Sequence, residues 1–328
     1  MPVLTQRILS RYMPKISVIM SVGQVPVNWL RRSIDSVLTQ TFADLEFIII
    51  NDTPLDKDVA FVLKEYAQND CRVVLIQNEE KLGISKSVNK GLEIAKGKYI
   101  ARIDADDICM KQRLEKQYAY MEEHDDIVLL GTDIRFIGNW YRIWLGDNIR
   151  HDDRDIKAMM LFGNCIAQSS VLLRRDVLED HKLFYDETLL CCEDYDMWER
   201  LMGYGKLACL NEKLVCLRIS DVQISKRIGD EMKIQAAVIR CRLQKKWLER
   251  SGYPSFTEDE LVHHATRVLS MLKQDKSING TPEYKAFLQY VYLHSKDQSR
   301  KIFTPFLNGD VGNISFWNIL RMIKRCIY

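Results

Sequence analysis

Tyr99-Ile100-Ala101-Arg102-Ile103-Asp104-Ala105-Asp106-Asp107 sets an apolar, strand-like run directly in front of three carboxylates. Carboxylates held this close repel one another, and protonation, solvent or a hard divalent cation with oxygen ligands relieves the repulsion. Open α/β sheets bind ligands beyond the carboxyl ends of their strands, so this position suits a cation that meets a diphosphate. The same spacing also fits a plainer role, in which Asp107 caps a helix starting near Lys111.

Outward from this stretch, short β-branched runs alternate with amphipathic segments, the pattern of parallel strands joined by crossover helices. Strands are predicted at 16–21, 46–51, 73–77 and 99–103. Between them Leu30, Ile34, Val37 and Leu38 share a helical face, as do Val59, Val62, Leu63 and Tyr66, and then Val88, Leu92 and Ala95. A helix over 112–124, a strand over 127–132 and an irregular Trp- and Gly-containing stretch over 135–150 follow. Strands at 170–173, 207–210 and 214–218, with a helix over 195–202, complete a mixed sheet near residue 225. Beyond that the chain is helix-rich.

Composition narrows the classes. The chain has 328 residues, 47% hydrophobic and 28% charged, enough for a full core and an appended region. A net charge of +2 gives no general attraction to nucleic acid, so no nucleic-acid partner is expected. Nine cysteines, an odd number with no CxxC pair, exclude a disulfide scaffold or zinc ribbon and suit a reducing cytoplasm. Adjacent Cys191 and Cys192 read as small residues at a turn, without redox chemistry. His151, His181, His263, His264 and His294 lack ligand spacing, and neither GxGxxG nor GxxxxGK[ST] occurs.

No run approaches the roughly 18 to 20 apolar residues that span a bilayer, so membrane contact would be peripheral. The last stretch, 313–328, puts Phe316, Ile319, Leu320, Ile323 and Ile327 on one helical face and adds Arg321, Lys324 and Arg325 without an acid. Such a helix either lies on an anionic membrane or docks on the domain. The segment 226–250, with eight Lys/Arg against three Asp/Glu, reads as a solvated helix.

The run Asn78-Glu79-Glu80-Lys81-Leu82-Gly83-Ile84-Ser85-Lys86-Ser87-Val88-Asn89-Lys90-Gly91-Leu92, continuing through Lys96-Gly97-Lys98 into the Asp104-Ala105-Asp106 triplet, closely resembles family 2 glycosyltransferases of the GT-A fold. The likeness is strongest to the bacterial branch that builds capsular, exopolysaccharide and O-antigen repeats, and it spans 15 to about 225. It implies an α/β GT-A fold: a mixed, mostly parallel sheet flanked by helices. The organisation is then an N-terminal extension 1–14, a transferase domain 15–225 and a helical C-terminal region 226–328 ending in a basic amphipathic helix. The activity implied is inverting, metal-dependent transfer of a sugar from a nucleotide-sugar donor, UDP-linked, to a hydroxyl of a lipid-linked glycan. Its place would be the inner face of the cell membrane, which favours membrane contact for the last helix.

The resemblance also implies roles. The triplet matches the DXD element, in which Asp106 would coordinate Mn²⁺ or Mg²⁺ and Asp104 would face ribose or donor sugar, with Lys86 and Arg102 adding positive charge nearby or pairing with structural carboxylates. Phe47-Ile48-Ile49-Ile50-Asn51-Asp52 occupies the place of an acidic pair, and Asp52 would accept from a uracil ring N–H, the alternative being a turn residue. Cys192-Glu193-Asp194-Tyr195-Asp196-Met197-Trp198 matches the Glu-Asp motif, making Asp194 the general base and placing Glu193 and Trp198 on the acceptor side; an acidic first helical turn accounts for the same residues. Asn164-Cys165-Ile166-Ala167-Gln168-Ser169-Ser170 matches an acceptor-side element in which His is commoner than Gln168. Ser21-Val22-Gly23 lacks the aromatic often found near the nucleotide, Asn51 replaces an acid, and Ser220 stands for a His. These departures motivate an alternative, a degenerate transferase-like module that binds nucleotide or glycan and partners an active enzyme.

Overall fold

The computed structural model describes residues 13–138, 151–219, 229–250 and 281–284. The expected N-terminal extension up to residue 12, the 139–150 part of the irregular stretch, Ser220 and the helix at 313–328 lie outside the described residues.

The four leading strands are β1 (Ile16–Val22), β2 (Leu45–Asn51), β3 (Val73–Gln77) and β4 (Tyr99–Arg102), joined by α1 (Val27–Leu38), α2 (Lys57–Asn69) and α3 (Ile84–Ile94). β5 (Ile108–Cys109), α4 (Arg113–Glu123), β6 (Ile127–Gly138), α5 (Asp153–Met160), β7 (Leu172–Arg174), α6 (Arg175–Asp180), α7 (Glu193–Leu201), β8 (Lys206–Ile219) and α8 (Gly229–Arg250) follow. One eight-stranded sheet runs β3-β2-β1-β4-β7-β6-β8-β5. β3, β2, β1 and β4 are parallel, whereas β7 meets β4 and β6 antiparallel and β5 meets β8 antiparallel.

Ile16, Val18, Ile19, Met20 and Val22 are all fully buried, so β1 is covered on both faces. That is why five of its seven residues are apolar with no strict alternation, the exceptions being Ser17, itself fully buried, and Ser21. Each such side chain stabilises the fold by about 1.5–3 kcal/mol, far more than local strand propensity supplies. Asp56 starts α2 by accepting the Asp58 and Val59 N–H groups, both at 3.1 Å. Asp152 caps α5 through the Asp155 N–H at 3.1 Å.

Two expectations change. The strand expected at 170–173 starts later, because Ser170 Oγ donates to Ala167 O at 2.7 Å and closes a 3₁₀ turn over Gln168–Ser170 before β7. The strands expected at 207–210 and 214–218 are one, since polar Asn211, Glu212 and Lys213 mark solvent exposure within β8, not a break.

By contacts, the described residues of Met1–Gly138, Ile166–Leu189 and Gly203–Arg218 form one compact unit, and those of Asn139–Cys165, Leu190–Met202 and Ile219–Tyr328 a second. In the first, Gly97 brings the start of β4 against β1: its N–H donates to Ser17 Oγ at 2.8 Å, and a Cβ there would lie 2.4 Å from Ser17 N. Backbone cannot yield as a flexible side chain can. Gly97→Ala should therefore destabilise the protein by about 2–3 kcal/mol in urea unfolding, the upper range of overpacking costs.

Candidate active site

The site begins where β4 ends. Asp104 N–H donates to Ser169 Oγ at 3.1 Å, while Asp104 O accepts from Ser33 Oγ at 3.0 Å and from the Asp107 N–H at 3.1 Å. The turn is thus tied to α1 and to the 3₁₀ turn before β7. From β8, Arg218 N–H donates to Asp107 Oδ1 at 2.7 Å and Arg218 Nε to Asp106 O at 2.9 Å; its guanidinium lies 4.4 Å from the Trp29 ring centroid. The cation–π contact and the two hydrogen bonds fix this arginine against the loop.

Burial, then the Asp104 charge, pushes the Asp106 carboxyl up to about 6. Burial, then Asp104 and Asp106, pushes Asp107 well above the usual carboxylate range. Like charges in a partly desolvated site produce this, and a bound cation would reverse it. Asp107 does not cap a helix: α4 starts at Arg113 after Gln112, which makes no side-chain cap. Its carboxylate goes to Arg218 instead.

Arg102 is fully buried, with Nη1 donating to Ile19 O and Nη2 lying 3.2 Å from Asp104 Oδ1. Its partner is thus Asp104 itself, the first acid of the triplet, which it holds from within. Lys86 is exposed on the first turn of α3.

Asp52, at the end of β2, is 3% exposed and holds the loop leading into α3. Its Oδ1 accepts from Asn78 Nδ2 at 2.8 Å and Leu82 N at 2.7 Å, and its Oδ2 from Gly83 N at 2.9 Å. Gly83 has φ +88°, a conformation that L side chains resist, so glycine is required where the chain turns into the helix. Asn78 Oδ1 accepts from Lys90 Nζ at 2.9 Å. Asn51 Oδ1 accepts from Thr53 N at 3.0 Å and Thr53 Oγ1 at 3.1 Å, a turn an acid would also close, whereas its Nδ2 donates to Gln77 Oε1 at 2.8 Å, a bond an ionised acid could not make.

Gln168 is buried, and among the described residues its Nε2 has no hydrogen-bond partner. An unmade bond there costs about 1–3 kcal/mol, which a ligand oxygen would recover.

In the second unit, Asp194 lies on the first turn of α7 and remains partly accessible. Its Oδ1 accepts from the Tyr195 N–H at 2.7 Å and its Oδ2 from Asn164 Nδ2 at 2.7 Å. Glu193 is buried. Trp198, expected on the acceptor side, is fully buried with Tyr195, Met197 and Leu201, so it is a core side chain and presents no open face. Burial raises the Cys191 thiol, and raises Cys192 to about 12, which leaves both protonated and unreactive.

Of the residues singled out from the sequence, Asp52, Lys86, Arg102, Asp104, Asp106 and Gln168 lie in the first unit and Glu193, Asp194 and Trp198 in the second; the contacts of Ser33, Ser169, Asn78, Arg218 and Trp29 were not foreseen. Ser33, Asn78 and Arg218 stood at the edges of family-like motifs without a role being assigned to them; Trp29 carried no signal, and Ser33 lies 71 positions from the loop it serves.

Four parallel strands joined by crossover helices, with acidic side chains beyond their carboxyl ends, define an α/β fold of the kind that binds ligands at that edge. Residues 17–182 match the profile described as Glycosyl transferase family 2. An uncharacterized glycosyltransferase of Haemophilus influenzae is 31% identical over 325 residues, 96% of this chain and 97% of that protein. The O-antigen biosynthesis glycosyltransferase WbnJ of Escherichia coli is 34% identical over 198 residues, 59% of this chain and 74% of that protein.

Among solved structures, the mannosyltransferase PcManGT of Pyrobaculum calidifontis, in complex with GDP-Man and Mn²⁺, superposes with TM-score 0.57 at 12% identity, over 96% of this chain and 80% of that one. S. aureus TarS 1–349 in complex with UDP gives TM-score 0.53 at 16% identity, over 95% and 89%. The chain belongs to glycosyl transferase family 2: it is a glycosyltransferase, and its fold is the GT-A fold.

Asp52→Asn would set an amide NH₂ against one of the loop N–H donors that its carboxylate now satisfies. The expected loss is about 1–3 kcal/mol in urea unfolding, the cost of one buried unsatisfied donor.

Proposed function

We propose that this glycosyltransferase inverts configuration, depends on a divalent metal, and moves a sugar from a UDP-linked donor to a hydroxyl of a lipid-linked glycan in cell-surface polysaccharide synthesis. The observation that carries the reading is the crowded carboxylate loop after β4, with Asp106 raised to about 6 by burial and by Asp104. The WbnJ likeness supports the polysaccharide context, and the folds shared with a UDP-bound and a Mn²⁺-bound protein support donor and metal.

The donor set fits Mn²⁺ or Mg²⁺. Asp106 would supply the hard oxygen ligand, a cation there would relieve its repulsion from Asp104, and among the described residues no group of three or more His, Cys, Asp or Glu could complete an all-protein cage. Diphosphate oxygens and water would fill the remaining positions, as is usual for Mg²⁺. When bound, the cation supplies electrostatic stabilisation of the negative charge that the departing diphosphate gains.

The chain's own residues do the rest. A carboxylate offers about four lone-pair sites, and Asp52 has three filled by Asn78, Leu82 and Gly83, leaving one on Oδ2 for a uracil ring N–H. Asp104, oriented by Arg102, faces ribose or sugar. Lys86 adds positive charge on the donor side, and Gln168 Nε2 offers its buried donor to an acceptor oxygen. Asp194, its Oδ2 steadied by Asn164, takes the acceptor proton as the hydroxyl oxygen bonds the anomeric carbon and the sugar–diphosphate bond breaks on the opposite face. Glu193 shares that turn.

No helix among the described residues is long and apolar enough to cross a membrane. Access to a lipid-linked acceptor at the cytoplasmic face is assigned to peripheral contact by the basic, amphipathically patterned sequence at 313–328.

Chelation with EDTA, and separately Asp106→Asn, should abolish turnover of a nucleotide-sugar panel, with Mn²⁺ restoring only the chelated wild type. Undiminished activity in EDTA would remove the metal from the reading, and UDP binding with no turnover under any condition would favour a binding module. Asp194→Asn should keep UDP affinity in calorimetry yet lower kcat by about 10²–10⁴, the contribution of a positioned base. Wild-type turnover by that variant would take Asp194 out of the role.

A further inference from the structure

α7 begins in an unusual way. Cys192, the residue from which it starts, sits in the left-handed region at φ 59° and makes no side-chain cap. A non-glycine residue there costs roughly 1–2 kcal/mol, and nothing in the local sequence repays it. Yet this turn decides where Asp194, two residues on, points.

The restraint comes from α8. Gln235 Oε1 accepts from the Cys191 N–H at 3.0 Å and faces Cys191 Sγ at 3.2 Å. Gln235 Nε2 donates to Glu231 Oε1 one turn earlier at 2.9 Å, which fixes the amide end turned toward Cys191. Cys192 Sγ donates to Met232 O at 3.5 Å. The body of α7 is gripped separately: Arg242 Nη2 lies 2.6 Å from Asp196 Oδ1 and 2.8 Å from Glu199 Oε2, and Lys246 Nζ 2.7 Å from Glu199 Oε1. The two attachments therefore do different things. The ion pairs hold the helix on α8, whereas Gln235 holds the turn from which it starts.

We infer that Gln235 is a positioning residue for Asp194, its side-chain oxygen locking the Cys191–Cys192 turn so that the Asp194 carboxylate meets the acceptor hydroxyl. This rests on the reading of Asp194 as the base. It gives the segment after β8 a part in the chemistry without contact to substrate.

The test uses the full chain, with turnover read as nucleoside diphosphate release from the best substrate of a nucleotide-sugar panel, water serving as acceptor. Gln235→Leu keeps the volume and removes the acceptor oxygen. It should lower kcat at least about tenfold while donor KM and the UDP affinity stay within about twofold, the split that marks loss at the transition state alone. The exchanged pair Glu231→Gln with Gln235→Glu retains both an acceptor toward Cys191 and the bond along the helix, at unchanged net charge, and should recover most of that loss.

Gln235→Met repeats the test should the leucine variant fail to fold. Wild-type kcat in a folded Leu or Met variant would overturn the inference, as would an exchanged pair no faster than Gln235→Leu. Asp194→Asn measured alongside separates the two ideas: wild-type turnover there sinks the base assignment and this inference with it, whereas a dead Asp194→Asn with a fully active Gln235→Leu sinks this inference alone.

Discussion

Repulsion among the carboxylates of Asp104, Asp106 and Asp107 is the constraint around which the first unit is arranged. Like charges a few ångströms apart near a protein surface oppose one another by on the order of a few kcal/mol, more than one hydrogen bond returns. No single contact could hold such a loop in place. It is held instead from three directions at once: by Ser33 on α1, by Ser169 before β7, and by Arg218 on β8. Most of these bonds go to backbone atoms, so the loop's path is fixed while carboxylate oxygens of Asp104 and Asp106 are left for a ligand.

Behind the loop lies a scaffold of buried polar side chains. Arg113 is fully buried, its Nη2 donating to Arg102 O at 2.9 Å and Val171 O at 3.0 Å, its Nε to Gln117 Oε1 at 2.9 Å. Gln117 Nε2 in turn donates to Leu130 O and Ser170 O, both at 2.9 Å. These carbonyls lie around the junction of β4, β6 and β7, where pairing changes from parallel to antiparallel, and Val171 O also accepts from the Arg102 N–H at 3.2 Å. A buried guanidinium is costly to desolvate, but its fork of donors meets several acceptors at once. The same logic governs Asp52, whose carboxylate gathers the N–H groups of a loop turning into α3.

The second unit solves a different problem: presenting a carboxylate on a helix that is otherwise buried. Tyr195, Asp196, Met197, Trp198, Glu199 and Leu201 all lie inside, and the acids among them are met by Arg200, Arg242 and Lys246. Removing one member of such a pair leaves an uncompensated buried charge, so these ion pairs specify geometry more than they add stability. Asp194 is the acid on that helix left partly accessible.

The sequence by itself determined the strand and helix order up to Arg102, the acidic loop and the family, because parallel strands buried on both faces are predominantly apolar without strict alternation and because the spacing of acids, glycines and asparagines survives as linear text. Asn211, Glu212 and Lys213 misled it, since polarity reports exposure and not a chain break. Only the tertiary structure decided what each side chain touches. Arg102 turned inward to Asp104, Trp198 into the core, Asp107 to Arg218 instead of a helix end, and Gln235 to a turn 44 positions earlier. Such partners meet through sheet order and helix packing, which bring together residues whose separation along the chain carries no signal of contact.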